Sequence, residues 1–275
     1  MPVNIKADKI VNSSDDEFSF FFTDLQEGQG LVFNAANNRW ENGVVSLADG
    51  RRGSLSNISE MNSLRFNGTN SYLSKNCPPS SISTWTWSIW FKNASLSGTR
   101  RFLRLGYSPF YYLSMNAEGA AGDEGKISGG ATSFTENKTT QRFRDLSAWY
   151  HLVAVPTGVY INGNLILSHV SASMPSGGTN SWWSIGNNQT NYNSYFDGYM
   201  ANIQFIDGQA LDPNSFGETV SDVWVPKAYG SGDPANAMAE YGTNGFHLDF
   251  AASNMDFTNS KVLDASGRGN HWTLN

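Results

Sequence analysis

The aromatic and amide side chains between residues 182 and 195 carry the clearest binding chemistry in the sequence. A sugar presents an apolar C–H face that packs on an aromatic ring, and its hydroxyls form hydrogen bonds with side-chain amides. The candidate ligand-binding residues of this group are Trp182, Asn187, Asn188, Tyr192, Asn193 and Tyr195. They predict recognition of a glycan. The same residues also fit a second interpretation, in which they are ordinary turn residues and rim aromatics of an assembly interface.

Carboxylate spacing argues against catalysis. Hydrolysis of a glycosidic bond needs two carboxyl groups about 5 to 9.5 Å apart, most simply at positions i and i+2 or i+4 of one strand. The acidic groups at 15–17, at Asp123 and Glu124, and at Glu218 and Asp222 lie in or beside apparent loops. We therefore expect a protein that is not an enzyme. A glycan hydrolase with carboxylates on strands distant in sequence is the alternative.

His151 invites a catalytic interpretation, but it lies within an apolar run beside Trp149, with no Ser or Cys nucleophile nearby in sequence. A structural, hydrogen-bonded histidine is the favoured interpretation.

Metal and redox chemistry have little support in the sequence. Calcium needs six to eight oxygen ligands, and Asp197, Asp207 and Asp212 offer candidates without a liganding loop of recognisable spacing. The single cysteine, Cys77, excludes an intrachain disulfide and a cysteine-based zinc site, and we expect it to be a buried or half-buried thiol. We predict no metal and no cofactor.

Composition excludes several classes of protein. The 275 residues are 13% aromatic and 15% charged, whereas disordered chains have few aromatics and high net charge. A net charge of −6 argues against a nucleic-acid partner. No stretch approaches the 18 apolar residues of a membrane span, and the first residues resemble no secretory signal. We expect a folded protein made in the cytoplasm, without membrane insertion.

Short apolar runs separated by Gly, Asn, Asp and Pro predict an all-β fold, and we find no run of helical periodicity. Because side chains two residues apart share one face of a strand, Trp85, Trp87, Ile89 and Phe91 should enter the core, with Trp90 as an exposed exception. By the same rule, Trp183 and Ile185 should point inward and Trp182 and Ser184 outward. An outward tryptophan on a sheet is either covered by a loop or part of a binding surface.

Residues 63–211 resemble the concanavalin A-like jelly roll in its laminin G-like form. The stretches that carry this resemblance are 63–73 (SLRFNGTNSYL), 86–92 (TWSIWFK), 149–153 (WYHLV) with 159–164 (VYINGN), and 185–187 (IGN) leading to 196–205 (FDGYMANIQF). Within the second hairpin, Asn162 and Gly163 predict a type I′ turn, because both tolerate the positive φ that this turn requires. The resemblance implies an antiparallel two-sheet jelly-roll sandwich.

A second resemblance is to virion proteins of bacteriophages. Residues 27–43 (EGQGLVFNAANNRWENG) are similar to a short module of tail fibres and other virion appendages. Residues 205–217 (FIDGQALDPNSFG), 224–229 (WVPKAY), 241–246 (YGTNGF) and 264–272 (DASGRGNHW) are similar to laminin G-like phage proteins. This resemblance implies localisation on the tail or capsid surface of a virion.

These observations predict three regions: a small β unit at 1–45 that attaches the protein to the virion, the jelly roll at 46–216, and an extension at 217–275 that packs on the sandwich or on a neighbouring subunit. The residues assigned to attachment are Phe18, Phe20, Phe22, Leu31, Phe33 and Trp40. The expected role is a short fibre or receptor-binding protein that contacts host-surface glycans, and the alternative is a capsid or tail decoration protein that binds no sugar. Partners would be other virion proteins and further copies of this chain, as a trimer.

Overall fold

A computed structural model describes the backbone of residues 30–34, 39–43 and 131, and the full residues 61–76, 78, 80–106, 111–116, 122–130, 137–168, 182–188 and 194–275. The chain forms two compact units, Met1–Ser59 and Glu60–Asn275. Cys77 and the attachment residues Phe18, Phe20 and Phe22 lie outside the described residues, as do Tyr192 and Asn193.

The described residues form mostly short strands, as their Gly- and Asn-rich boundaries predict. The strands are β1 (Gly30–Asn34), β2 (Arg39–Gly43), β3 (Ser63–Asn67), β4 (Leu73–Asn76), β5 (Trp85–Asn93), β6 (Arg100–Leu105), β7 (Tyr111–Met115), β8 (Ile127–Ala131), β9 (Asn137–Lys138), β10 (Tyr150–Val155), β11 (Gly158–Ile161), β12 (Asn164–Ser168), β13 (Trp182–Ile185), β14 (Asp197–Asp207), β15 (Gly217–Val220), β16 (Val223–Pro226), β17 (Phe246–Leu248), β18 (Met255–Asp256), β19 (Lys261–Val262) and β20 (Trp272–Leu274). The helical segments are one α-helix, α1 (Ala237–Tyr241), and the 3-10 turns Pro213–Ser215 and Ala252–Asn254.

The first unit contains an antiparallel hairpin. In it β1 pairs with β2, so that Phe33 lies opposite Trp40. Phe33, Trp40 and the third assigned residue, Leu31, therefore lie on the two strands of one small ribbon. Their role in attachment stays a prediction.

The second unit is built from two antiparallel sheets. One has the order β12-β11-β10-β5-β14-β17, with β3 also paired to β14, and the other has the order β18-β19-β20-β4-β13-β6-β7-β8-β9. A separate ribbon joins β15 and β16. The predicted all-β, antiparallel two-sheet sandwich is confirmed.

The hydrophobic core fills the space between the two sheets. Trp85, Trp87, Ile89 and Phe91 have no exposed surface, as the alternation in this strand predicts. Trp183 and Ile185, on β13 of the other sheet, are also fully buried, and the rings of Trp87 and Trp183 lie 5.9 Å apart. The predicted core alternation of both strands is confirmed.

The prediction that Trp90 is exposed is wrong. Its side chain does lie on the outer face of the seven-stranded sheet, but it is only 3% exposed because it stacks on His151, with ring centroids 4.7 Å apart. Residues 209–241 add a second apolar cluster over this sheet, in which Phe216 and Tyr241 pack with Val153 and Ile206. Sequence alternation reports which face a side chain takes, and it contains no information about a later segment that covers that face.

The C-terminal region contributes strands to both sheets. β17 pairs with β14, with Phe246 opposite Phe205, and β20 pairs with β4, with Leu274 opposite Leu73. The Trp272 indole is 1% exposed and lies edge-on to Phe246, with centroids 5.0 Å apart. The end of the chain thus completes the core of the second unit.

The turn between β11 and β12 has the predicted conformation. Asn162 has φ +48° and Gly163 has φ +78°, the two positive values that a type I′ turn requires.

No helix among the described residues is long and apolar enough to cross a membrane.

We predict that Trp272→Ala lowers the free energy of unfolding by about 3 to 5 kcal/mol, because it leaves a cavity in a closed core. Phe257→Ala is the control, since Phe257 is 72% exposed, and it should change stability by less than about 0.5 kcal/mol. Denaturant unfolding curves measure both. Equal stability of the two variants would show that the C-terminal strand is not part of the core.

Candidate functional site

The outer face of the nine-stranded sheet carries a row of polar side chains in register. Thr273 lies opposite Ser74, Ser74 opposite Ser184, and Ser184 opposite Arg104. Trp182 lies on the same face as Ser184, opposite Asn76. Tyr112 also lies on this face, opposite Arg104, but it is only 5% exposed, whereas the Trp182 indole is exposed.

Trp182 borders an open cleft of about 360 Å³, which we call the Trp182 cleft. Its lining residues are Ser74, Lys75, Asn76, Trp182, His271 and Thr273. The indole is 41% exposed, and Asn76, His271 and Thr273 are exposed as well. An aromatic surface, an amide, an imidazole and hydroxyls therefore meet on one side of a rigid sheet.

Internal hydrogen bonds hold the wall of the cleft. Lys75 Nζ donates to Asn270 Oδ1 at 2.6 Å, and burial lowers the pKa of Lys75 while the charge of Asp264 acts in the opposite direction. The Asp264 carboxylate accepts the backbone N–H groups of His247, Ser266 and Asn270 at 2.8 to 2.9 Å. The loop that carries His271 is consequently fixed before any ligand arrives.

The structure places two predicted amides inside the protein. Asn187 and Asn188 are 7% and 5% exposed. The Asn187 carbonyl accepts the Ser184 hydroxyl at 2.8 Å, and Asn188 Oδ1 accepts an N–H of Arg104 at 2.8 Å. Both residues form hydrogen bonds with side chains of the outer face, but neither is among the residues that line the Trp182 cleft.

Tyr195 lies at the other end of β13 from Trp182. Its ring packs on Tyr72, with centroids 6.3 Å apart, and its carbonyl accepts from Arg100 at 3.0 Å. The structure therefore brings Trp182 together with Asn76, His271 and Thr273 instead. No local signal identifies these partners, because they come from β4 and the start of β20 and meet Trp182 only through sheet register.

His151 is a structural, hydrogen-bonded residue, as predicted, and the structure adds two partners that the sequence did not reveal. Ser88 Oγ lies 2.8 Å from His151 Nε2, 63 positions away in sequence, and Trp224 Nε1 donates to His151 Nδ1 at 3.0 Å. Since an indole N–H can only donate, Nδ1 accepts and Nε2 carries the proton toward Ser88. A Ser–His nucleophile pair requires the reverse arrangement, and both residues have no exposed surface.

Each of the candidate calcium ligands forms a hydrogen bond or an ion pair within the protein. Asp197 forms an ion pair with Arg65 at 2.6 Å. Asp207 Oδ2 accepts hydrogen bonds from the backbone and side-chain nitrogens of Asn244, and Asp212 Oδ1 accepts a hydrogen bond from the backbone N–H of Asn214. The part of the chain that the structure describes contains no group of three or more His, Cys, Asp or Glu side chains suited to a metal ion.

Comparison with known families and structures agrees with this architecture. The model of the concanavalin A-like lectin/glucanases superfamily matches residues 67–215. Similar solved structures include a SAP-like pentraxin of Limulus polyphemus, with 18% identity and a TM-score of 0.41 over 54% of this chain and 76% of the pentraxin. Domain 4 of the arabinanase AbnA of Geobacillus stearothermophilus, solved with arabinotriose, has 21% identity and a TM-score of 0.42 over 66% of this chain and 84% of that domain.

Domains LG4-5 of the mouse laminin alpha1 chain have 13% identity and a TM-score of 0.39 over 62% of this chain, which spans only 46% of that fragment. No curated protein sequence matches the chain.

The buried state of His151 predicts a loss of stability in acid. Burial lowers the pKa of His151 from 6.5 to about 3, so between these values the unfolded chain binds a proton that the folded protein does not. The contribution to the free energy of unfolding is complete above pH 6.5 and decreases as the pH falls toward 3. From pH 6.5 to 5 the loss from this group is about 1.5 kcal/mol.

His151→Gln removes this titration and should flatten the stability curve over the same interval. Some slope remains, because burial also lowers the pKa of His247. Unfolding curves at several pH values measure the difference, and above pH 7 the two proteins should give parallel curves. Identical slopes between pH 6.5 and 5 would mean that His151 is not held neutral by its surroundings.

Proposed function

This chain belongs to the concanavalin A-like lectin/glucanases superfamily, and we propose that it is a non-enzymatic surface protein of a bacteriophage virion that binds glycans of the host surface. The observation that carries the binding role is the Trp182 cleft. A large indole is 41% exposed there beside polar side chains on a sheet that the core holds rigid.

The cleft has the chemistry that a saccharide requires. The apolar face of a sugar ring packs on an indole, while the Asn76 amide and the Thr273 hydroxyl can exchange hydrogen bonds with sugar hydroxyls. These groups stand on β13, β4 and β20, which are paired strands. Binding to groups that are already in place costs little ordering entropy.

The distribution of carboxylates supports a protein without hydrolytic activity. None of the six residues that line the Trp182 cleft is acidic. The nearby Asp264 is 8% exposed and has both carboxylate oxygens engaged by backbone N–H groups. Glycoside hydrolysis needs a general acid and a second carboxylate. The residues that line the Trp182 cleft provide neither of them.

The virion assignment is supported by the resemblance of several stretches to phage virion proteins, namely 27–43, 205–217, 224–229, 241–246 and 264–272. In the first of these stretches β1 pairs with β2. A trimer on a particle would present several Trp182 clefts at once. Sites that are weak individually then give strong attachment through avidity.

A structural decoration role is the second candidate. Val220 and Val223, at the tip of the β15–β16 ribbon, are 40% and 60% exposed, and Phe257 is 72% exposed. Apolar side chains in such positions suit contact with a neighbouring subunit, and this role would need no sugar.

We predict that Trp182→Ala reduces glycan binding about tenfold, the effect of losing roughly 1.4 kcal/mol of stacking energy. The measurement is binding to an array of bacterial surface oligosaccharides, followed by titration of the strongest ligand. Trp149→Ala is the matched control, because Trp149 is 36% exposed and adjoins β10 of the other sheet. If both variants bind as the unmodified protein does, Trp182 is not the sugar platform.

Deletion of residues 1–45 tests attachment separately from binding. The deleted protein should keep its affinity for a soluble glycan, because the Trp182 cleft lies wholly within the unit Glu60–Asn275, and it should be absent from purified particles. Incorporation at the normal level would refute the attachment role of this region.

A further inference from the structure

A second cleft, of about 480 Å³, lies where β5 begins and β14 ends; we call it the Asp207 cleft. Its polar lining is formed by Ser80, Ser81, Ser83, Thr84, Thr243, Asn244 and Asp207. All five hydroxyl-bearing residues are exposed. Among its described lining residues there is no Lys, Arg or His.

The walls of the Asp207 cleft come from three distant segments that are tied together. Asp207 lies opposite Trp85 in the pairing of β14 with β5, and Gly208 N donates to the Thr84 carbonyl at 2.9 Å. Asn244 donates to Asp207 Oδ2 through its backbone N–H at 3.0 Å and its side chain at 2.7 Å. The fully buried Trp85 anchors this end of the strand, so the cleft is preformed.

The groups in the Asp207 cleft select a neutral, hydroxyl-rich ligand. Asp207 Oδ1 accepts no hydrogen bond from the described residues, so it is available to a sugar hydroxyl as a charge-assisted acceptor. The serine and threonine hydroxyls both donate and accept. A ligand with carboxylate or sulfate groups would be repelled by Asp207, with no described cation in the lining to compensate.

The two clefts are neighbours, because one side chain joins their walls. Asn270 Oδ1 accepts from Lys75 of the Trp182 cleft, while Asn270 Nδ2 donates to the carbonyl of Thr243 of the Asp207 cleft at 3.0 Å. In addition, residues 74–76 line the Trp182 cleft and residues 80–84 line the Asp207 cleft. Because the single side chain of Asn270 bridges their walls, the two clefts are close enough for a chain of a few sugar units to reach both.

We infer that the Trp182 cleft and the Asp207 cleft are two subsites of one surface, which binds an extended neutral polysaccharide along its length and not at a terminal sugar. This inference rests on the proposed glycan-binding function and specifies its ligand class. The indole stacks on one sugar ring, and the hydroxyls with Asp207 hold a ring further along the same chain.

The test uses linear neutral oligosaccharides of glucose, galactose, mannose and arabinose, from disaccharide to octasaccharide, with calorimetric titration of the full-length protein. Affinity should rise with length and then level off once both clefts are filled. Ser83→Phe, which blocks the Asp207 cleft from an exposed position, should lower octasaccharide affinity about tenfold and change disaccharide affinity by less than about twofold.

Two further variants complete the design. Asp207→Asn keeps the shape of the side chain and removes its charge, and it should weaken octasaccharide binding in the same direction. Ser253→Phe is the matched control, since Ser253 is exposed and lines neither cleft, and it should bind as the unmodified protein does.

The results distinguish a failure of the second subsite from a failure of the proposed glycan-binding function. If Trp182→Ala weakens binding about tenfold while Ser83→Phe and Asp207→Asn do not weaken octasaccharide binding, the proposed function stands and the second subsite is refuted. If the unmodified protein binds no oligosaccharide of the series, the neutral-chain inference is overturned. Binding of acidic oligosaccharides on the separate array would then still support the proposed function.

Discussion

The contact of Trp87 with aromatic rings from both sheets sets how the sheets of the second unit pack. Its ring lies 5.0 Å from Phe205 on the adjacent strand, 5.4 Å from Phe246, and 5.9 Å from Trp183 on the opposite sheet. Such pairs are favourable beyond their buried area and have preferred geometries, so they fix the relative position of the sheets as well as stabilising them. Because β13 alternates, placing Trp183 in this contact forces Trp182 to the outer face.

The same constraint operates at the C-terminus. Trp272 packs against Phe246 in the core, so its neighbours His271 and Thr273 lie outside, on a strand paired with β4. Two buried indoles therefore position three of the six lining residues of the Trp182 cleft. The cleft is a consequence of core packing combined with strand alternation, and a shift of either strand by one residue would exchange its core and cleft side chains.

The sequence was informative where a property is local. Alternation in β5 and β13 correctly predicted that Trp85, Trp87 and Trp183 enter the core. The Asn162–Gly163 pair correctly predicted the turn between β11 and β12. Properties that depend on distant segments were not accessible. Ser88 and Trp224 reach His151 from other strands, and Asn76 reaches Trp182 through register.

The amides at 187 and 188 illustrate the same limit. Polar side chains in a turn are usually exposed, yet here Arg104 of β6 provides a buried partner for Asn188. No pattern within residues 182–195 contains that information, because the partner lies 84 positions away. Residue type therefore indicated the kind of chemistry, whereas sheet pairing decided which residues could take part.

One outer face of the sandwich is covered by a later segment of the chain and the other is not. This difference explains why Trp182 is a candidate sugar platform and Trp90 is not. Over the seven-stranded sheet, Trp224 lies against Gly163 and Gly217, where an added Cβ would come within 2.8 Å and 2.6 Å of its indole. This close fit positions the Trp224 indole so that its N–H donates a hydrogen bond to His151, and His151 stacks on Trp90.

A neutral, fully hydrogen-bonded histidine can be buried at low cost, whereas a charged one could not. The C-terminal region can consequently seal that face. The same region ends by adding β20 beside β4, which supplies polar partners to Trp182 without covering it. One segment thus closes the face that holds Trp90 and completes the open cleft on the opposite sheet.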